Sequence, residues 1–247
     1  MTDTRIAVLI DADNISPKYA AALLEELAAY GVATVKRAYG DWTTASLGGW
    51  KSELHKHGIV PFQQFAYTKG KNSTDSALII DAMDLLYAGN VEAFALVSSD
   101  SDFTRLATRI RESGKRVYGI GARKTPQSFV AAVDTFIYVE VLGQEGEPGD
   151  ADEAPEEPTT PLPNLQSLLT RAVNATSDDD GWAHLGAIGS YLRSLDSSFD
   201  PRLYGSPKLA ALVEAQPYLT TSGGGSSGVR VGLKGKTTAR KAATKKS

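Results

Sequence analysis

The sequence has no cysteine in 247 residues, which excludes disulfide bonds and metal sites made of thiolates. It also has no run of about 20 apolar residues, the length that a helix needs to cross a bilayer. We therefore expect a soluble, cytoplasmic protein that has no contact with a membrane.

Sequence signatures of two other classes of protein are missing as well. No G-x-x-x-x-G-K-S/T loop occurs, and no G-x-G-x-x-G fingerprint follows the first apolar run, which argues against a nucleotide-binding domain. The Gly/Ser run at 223–228 lies between two expected strands and opens no helix. The three histidines accompany no nucleophile elbow between a strand and a helix, which argues against a Ser/His/Asp hydrolase.

Charge is unevenly distributed along the chain, although the net charge is only −3. Residues 143–163 carry seven acids, five prolines and no base, a composition typical of a linker. Residues 230–247 carry seven bases and no acid, which indicates a disordered arm that binds polyanions, or a tail that only adds solubility. We therefore expect a domain at 1–142, a linker at 143–163, a second domain at 164–233 and a tail at 234–247.

Short apolar runs alternate with helical patterns through the first domain. Strands are expected at 6–10, 32–40, 59–67, 93–99, 116–121 and 136–142. The clearest helical pattern covers 73–88 and is followed by Gly89, a residue that commonly ends helices. Alternation of this kind implies right-handed crossovers and a mostly parallel sheet, so we predict a three-layer α/β fold.

Four carboxylates stand where strands end or where a helix begins. Asp11 ends the first apolar run, Asp75 opens the helical pattern, and Asp100 and Asp102 follow the fourth run. Each has a structural alternative, since an acid can cap a helix or interact favourably with its dipole. If strands 1 and 4 end at the same edge of the sheet, however, the four acids meet there. Their negative charges would then repel one another unless a cation compensates them.

A hard divalent cation, Mg²⁺ or Mn²⁺, suits a cluster of carboxylate oxygens and can promote phosphodiester hydrolysis. Asn14 follows Asp11 by three residues and is a candidate for positioning water or phosphate. Candidate contacts for a phosphate backbone are Lys69, Lys71, Arg105, Arg109, Arg123 and Lys124. Candidates for stacking on bases are Tyr39, Trp42 and Tyr67. For each of these side chains, a role in packing or at the solvated surface stays open.

Three motifs, in this order, resemble the NYN domain, a family of the PIN-like nuclease superfamily. They are IDADN at 10–14, KNSTDSALIIDAM at 71–83 and VSSDSDF at 97–103. The resemblance covers about residues 4–142 and implies a metal-dependent ribonuclease whose acids correspond to Asp11, Asp75, Asp100 and Asp102, with Asn14 as the family's asparagine. Asp81 corresponds to a further acid of the helix motif, but it lies well round the helix from Asp75. Ser99 stands where the family commonly has glycine.

Three helical patterns followed by two short strands predict a winged helix in the second domain. Helices are expected at 165–174 and 181–195, a turn followed by a third helix within 199–215, and the strands within 218–233. The alternative is a small helical domain that packs or dimerises. The motif FDPRLYGSPKL at 199–209, preceded by GW at 181–182, resembles the OST-HTH, or LOTUS, domain, which implies binding of RNA or of a protein. Lys208, Arg202 and Arg230 are the candidates for contacting phosphate.

The resulting hypothesis is a metal-dependent ribonuclease, expected to be an endonuclease, that hydrolyses phosphodiester bonds of single-stranded RNA. The second domain would hold the RNA. DNA stays open as a substrate, and so do a homodimer and a protein partner of the LOTUS-like domain. The alternative function is an RNA-binding regulatory protein whose nuclease fold is weak or inactive, and a metal-dependent phosphatase on a similar frame is a third class.

Overall fold

The six predicted strands form one parallel sheet in the computed structural model, which describes residues 4–65, 73–142, 161–223 and 228–235. They are β1 (Arg5–Asp11), β2 (Val32–Gly40), β3 (Val60–Gln63), β4 (Ala93–Val97), β5 (Arg116–Gly121) and β6 (Thr135–Tyr138). Their order across the sheet is β3-β2-β1-β4-β5-β6. The central strands β1 and β4 are almost entirely buried, which explains their uninterrupted apolar sequences.

Five helices cover this sheet. They are α1 (Ala20–Ala28), α2 (Trp50–His57), α3 (Ser73–Ala88), α4 (Thr104–Glu112) and α5 (Gln127–Ala132). Right-handed crossovers place α1 and α2 on one face and the other three helices on the opposite face. The predicted three-layer α/β fold is therefore confirmed.

Three strands, β3, β4 and β6, are shorter than the sequence predicts, and β4 ends at Val97 instead of residue 99. The ends of β3 and β6 coincide with the ends of their neighbours. The last residue pair between β2 and β3 is Gly40 with Gln63, so the strand expected at 59–67 ends there among the described residues, which stop at residue 65. The last pair between β5 and β6 is Gly121 with Tyr138. The chain beyond Tyr138 forms a 3-10 turn at Val139–Val141 instead of continuing the strand.

The order of the strands reverses between β1 and β4. The chain moves from β1 outward through β2 to β3, returns to β4, and then moves outward in the other direction through β5 to β6. In open parallel sheets, ligands bind at the carboxyl ends of the two strands that flank such a reversal. Ile10 pairs with Val97 across these strands, so Asp11 and Ser98 are the residues that follow at this edge.

The second compact unit spans residues 161–247 and contains three helices and three strands within its described part. They are α6 (Leu165–Thr176), β7 (Trp182–His184), α7 (Leu185–Leu195), α8 (Leu209–Glu214), β8 (Leu219–Ser222) and β9 (Arg230–Leu233). The strands form an antiparallel sheet in the order β7-β9-β8. The buried side chains Leu169, Ile188, Leu192, Val213 and Val231 form its core, and three helices with a small antiparallel sheet agree with the predicted winged helix.

One prediction for this unit is wrong in detail. The helix expected at 181–195 begins only at Leu185, because Trp182–His184 pairs with β9 as a strand. The turn and third helix expected within 199–215 are confirmed as a 3-10 turn at Pro201–Tyr204 followed by α8. The linker expected at 143–163 and the tail expected at 234–247 lie mostly outside the described residues. Within the described ranges, no helix is both long enough and apolar enough to cross a membrane.

Candidate metal centre

Asp11 ends β1 with its side chain completely buried, at 0% exposure. Its Oδ2 accepts hydrogen bonds from Asn14 Nδ2 at 2.6 Å and from Ser98 Oγ at 2.8 Å. Its Oδ1 is also buried, and no residue in the described part of the chain donates a hydrogen bond to it. Burial raises the pKa of Asp11, against the effect of the two donors. An unsatisfied buried carboxylate oxygen is costly, so this atom indicates the place of a ligand such as a cation.

Three further acids converge beside Asp11. Asp75 lies in the first turn of α3, Asp100 follows β4, and Asp102 lies in the 3-10 turn Ser101–Phe103. One carboxylate oxygen from each of these three lies within 4.8 Å of the other two. The fourth predicted acid, Asp11, is not one of these three. Among the charged neighbours of Asp75, however, Asp11 raises the pKa of Asp75 most. Burial, followed by repulsion from Asp11, Asp100 and Asp102, raises the pKa of Asp75 to about 6.

This set of donors fits a hard divalent cation. Every candidate ligand atom is a carboxylate oxygen, the donor that Mg²⁺ and Mn²⁺ prefer. Burial and repulsion from neighbouring acids both disfavour the charges of Asp75 and Asp11 in the absence of a cation, and a cation would relieve both effects. The orphaned oxygen of Asp11 supports the same assignment independently of the other three acids.

Ser98 connects the two halves of the site, and sequence reasoning missed it. The side chain is 1% exposed; its hydroxyl donates to Asp11 and accepts the backbone N–H of Asp100 at 3.1 Å. The available signal was a hydroxyl directly after a strand that ends beside Asp11. Ser99, which replaces the glycine common in the family, instead accepts the N–H of Ala122 at 2.8 Å and so holds the loop after β5.

Asp13 is a fifth acid near the cluster that the sequence analysis did not single out. It is exposed, its Oδ2 accepts a hydrogen bond from Thr74 Oγ1 at 3.0 Å, and its charge contributes to the raised pKa of Asp75. Its position two residues after Asp11, in the same loop, is the signal that could have identified it.

Asp81 and two of the aromatic residues have structural contacts. Asp81 accepts hydrogen bonds from the guanidinium of Arg37 and the hydroxyl of Tyr39. Tyr39 is 0% exposed, so its interpretation as a base-stacking residue is wrong. Trp42 is partly buried and donates its Nε1–H to Phe62 O at 3.0 Å. Tyr67, Lys69 and Lys71 lie outside the described residues.

The basic candidates of the first unit differ in their distance from the acids along the chain. Arg105 is exposed in the first turn of α4, three residues after Asp102. Arg123 and Lys124 follow the carboxyl end of β5, in the loop that Ser99 holds through Ala122, and Lys124 is exposed. Arg109 lies farther along α4 and donates to Ser113 Oγ at 3.0 Å.

The three basic candidates of the second unit differ in whether an acidic side chain already pairs with them. Lys208 is exposed at the residue before α8. Arg202 forms an ion pair with Asp200 at 2.6 Å, and Arg230 forms one with Asp178 at 3.0 Å. Their charges are therefore already compensated within the unit, which leaves Lys208 as the stronger candidate for a phosphate contact.

Comparisons with known proteins agree with this architecture. The family model described as the NYN domain matches residues 5–140, which is more than half of the chain, and the chain belongs to this family. The model described as the OST-HTH/LOTUS domain matches residues 156–231. A nuclease-like domain is thus followed by a domain of a family that binds RNA, in the order that the sequence predicts.

Individual relatives are similar over only part of this chain. The uncharacterized protein MJ0482 of Methanocaldococcus jannaschii is 28% identical over 145 residues; the match covers 57% of this chain and 56% of that protein. A crystal structure of a protein of unknown function from Vibrio parahaemolyticus covers 55% of this chain and 92% of its own, with 21% identity and a TM-score of 0.47. A solution structure of an uncharacterized protein from Nitrosomonas europaea covers 37% of this chain and 90% of its own, with 35% identity and a TM-score of 0.26.

Proposed function

We propose that the first unit is a Mg²⁺- or Mn²⁺-dependent ribonuclease that cuts single-stranded RNA as an endonuclease. The observation that carries this proposal is the convergence of Asp75, Asp100 and Asp102 beside the buried, half-satisfied carboxylate of Asp11. These four acids would hold the cation, and the reversal of strand order between β1 and β4 supports a ligand site at the same edge.

In this proposal, the residues around the acids have different roles. A bound divalent cation would stabilise negative charge on the phosphate and lower the pKa of an attacking water. Asn14 and Ser98 hold Asp11 Oδ2, so Asp11 Oδ1 keeps a fixed direction. Arg105, Arg123 and Lys124 are proposed to neutralise phosphates on either side of the cut.

The second unit is proposed to bind the RNA that the first unit cuts. Its family binds RNA, and Lys208 offers an exposed charge for a phosphate contact. Lys69 and Lys71 stay predictions for the first unit, as do a homodimer and a protein partner of the second unit. If the two units share one substrate, removal of the second should weaken RNA binding more than the chemical step.

Cleavage of labelled RNAs and single-stranded DNAs with Mn²⁺ tests this proposal. Asp100→Asn is compared with wild type, and Asp84→Asn, an exposed acid on α3, is the matched control. We expect wild type and the control to cut RNA, chelator to abolish cutting, and Asp100→Asn to lose at least on the order of 100-fold in rate while still binding RNA. A circular RNA distinguishes an endonuclease, which linearises it, from an exonuclease, which does not.

Three other results of this experiment would contradict part or all of the proposed function. If wild type binds RNA tightly but cuts no substrate with either metal, the protein is an RNA-binding regulator and the enzymatic proposal fails. If DNA is cut faster than RNA, the chemistry stands and the substrate class is wrong. If Asp84→Asn loses as much activity as Asp100→Asn, the loss reflects removal of a negative charge from the unit rather than removal of a metal ligand.

A further inference from the structure

Asp81 is an acid of α3 that the proposed metal site leaves unused. It lies six residues after Asp75, on a helix that turns about 100° per residue, so about 120° separates the two side chains. Both of its carboxylate oxygens have partners, because Oδ1 accepts from Arg37 and Oδ2 accepts from Tyr39. The described acids that converge on one point do not include Asp81.

Both partners of Asp81, Arg37 and Tyr39, lie on β2 and are largely buried. Tyr39 is completely buried, and the side chains of Arg37 and Asp81 are only 27% and 18% exposed. The guanidinium of Arg37 also lies 5.1 Å from the centre of the Phe62 ring on β3. The three polar groups therefore join α3 to the sheet in surroundings that are largely screened from water, where hydrogen bonds to charged groups are strong.

This contact lies one strand away from Asp11. Tyr39 pairs with Asp11 across β1 and β2, and its carbonyl accepts the N–H of Ala12 at 2.9 Å. At the start of α3, the hydroxyl of Thr74 donates to Asp13, in the loop that follows β1, at 3.0 Å. Two connections thus lead from α3 to the edge of the sheet that carries Asp11, and Asp75 lies between them in the helix.

We propose that Asp81, Arg37 and Tyr39 form a positioning bridge that fixes α3 on the sheet and thereby holds Asp75 against Asp100 and Asp102. This inference rests on the proposed metal site. Asp81 acts in it as a positioning residue and not as a ligand of the cation. The distinction can be tested at Tyr39, because Tyr39→Phe removes one of the two hydrogen bonds to Asp81 without removing a negative charge or a candidate ligand.

Binding of Mn²⁺ to the full chain, measured by the electron paramagnetic resonance of free Mn²⁺ well below the unfolding temperature, is the test. We expect Asp81→Asn to weaken Mn²⁺ binding about tenfold, as loss of a supporting hydrogen bond commonly does at metal sites. Tyr39→Phe should weaken it in the same direction by a smaller factor. Asp84→Asn, which removes the same charge from an exposed position of α3, should bind like wild type.

Several results would overturn the bridge. It is wrong if Asp81→Asn unfolds at lower temperature yet binds Mn²⁺ like wild type, since Asp81 would then only stabilise the fold. It is also wrong if Asp81→Asn weakens binding while Tyr39→Phe does not, since Asp81 would then be a ligand. If Asp81→Asn does not fold, Tyr39→Phe alone decides.

If wild type binds no Mn²⁺, the proposed function is refuted. The contact of the bridge with α3 is then tested by a second measurement. Hydrogen exchange of the α3 amides in metal-free protein reports whether the helix is held on the sheet. Faster exchange in Asp81→Asn and Tyr39→Phe than in Asp84→Asn supports the bridge, and equal exchange in all three overturns it.

Discussion

Asp75→Asn removes one negative charge from the acid cluster and keeps the shape of the side chain. The pKa of Asp75 is raised from 3.8 to about 6 because the carboxyl is partly buried and because Asp11, Asp100 and Asp102 repel its charge. At pH 7.5, the folded protein without metal therefore carries a carboxylate that its surroundings disfavour. We expect the asparagine variant to be more stable than wild type under these conditions.

The size of this gain follows from the pKa shift. A shift from 3.8 to about 6 corresponds to roughly 3 kcal/mol between the two protonation states. Because the carboxyl is only partly buried, screening by solvent lowers the expected gain in unfolding free energy to about 1 kcal/mol. The folded protein retains this proton to higher pH than the unfolded chain does, so wild type loses stability as the pH rises from about 4 to about 6. The advantage of the variant should shrink below pH 6 and disappear near pH 4.

Hydrogen exchange of the β1 and β4 amides in the full chain measures the unfolding free energy of the first unit without interference from the second. In chelator at pH 7.5, Asp75→Asn should exchange more slowly than wild type. Mn²⁺ at 100 times its dissociation constant should stabilise wild type by about 2.7 kcal/mol. The variant lacks one candidate ligand and gains less, so the order of stability should reverse when metal is added.

Two results would refute this reasoning. In the first, the variant is less stable than wild type in chelator at pH 7.5, which would mean that Asp75 has a structural partner that outweighs the repulsion. In the second, the variant keeps its higher unfolding free energy unchanged at pH 4. The gain would then come from the asparagine side chain itself and not from the removal of charge repulsion. Asp84→Asn serves as the control and should behave like wild type throughout.

Further predictions follow from the same contacts. Ser98→Ala should weaken Mn²⁺ binding about tenfold in a calorimetric titration, while Ser99→Ala, whose hydroxyl holds only the loop after β5, should leave it unchanged. Mn²⁺ binding should weaken as the pH falls through about 6, where Asp75 takes up a proton, and a titration at pH 5 and pH 7.5 shows this. Gly121→Ala should destabilise the protein by about 1–3 kcal/mol in urea unfolding, because a Cβ there would lie 2.6 Å from Ser98 O. A chain ending at residue 142 should keep cleavage but bind RNA more weakly, as measured by fluorescence anisotropy.

The fold was largely predictable because its signals are local. Buried parallel strands require continuous apolar runs, and the helices between them require apolar residues at helical spacing, so both patterns can be read without knowledge of tertiary contacts. The ends of strands depend instead on where the neighbouring strand stops, as at Gln63 and Tyr138. Trp182 shows the same limit, because its spacing to Leu185 and Ile188 suits a helix, yet pairing with β9 makes it part of a strand.

The sequence predicts the four clustered acids of the candidate site but not the hydrogen-bond partners of its acidic residues. Asp11 and Asp100 are marked by the strands that they follow, and parallel topology brings such ends together. The contact of Asp81 with Tyr39 joins residues 42 positions apart, and no local pattern indicates which face of β2 the tyrosine occupies. An aromatic residue at the end of a strand near acids suits base stacking and core packing equally well, and only burial distinguishes the two.

The hydrogen bonds that give these acids a structural role also prepare them for a cation. Asp100 Oδ1 caps the 3-10 turn by accepting the N–H of Asp102 at 2.9 Å, and Asp11 Oδ2 accepts from Asn14 and Ser98. In both carboxylates one oxygen is engaged, and the other oxygen of Asp11 is buried and accepts no hydrogen bond from the residues that the structure describes. A carboxylate held through one oxygen cannot rotate freely, so its second oxygen keeps the fixed direction that preorganised coordination needs. Capping and metal binding are therefore compatible roles for the same side chain at this edge of the sheet.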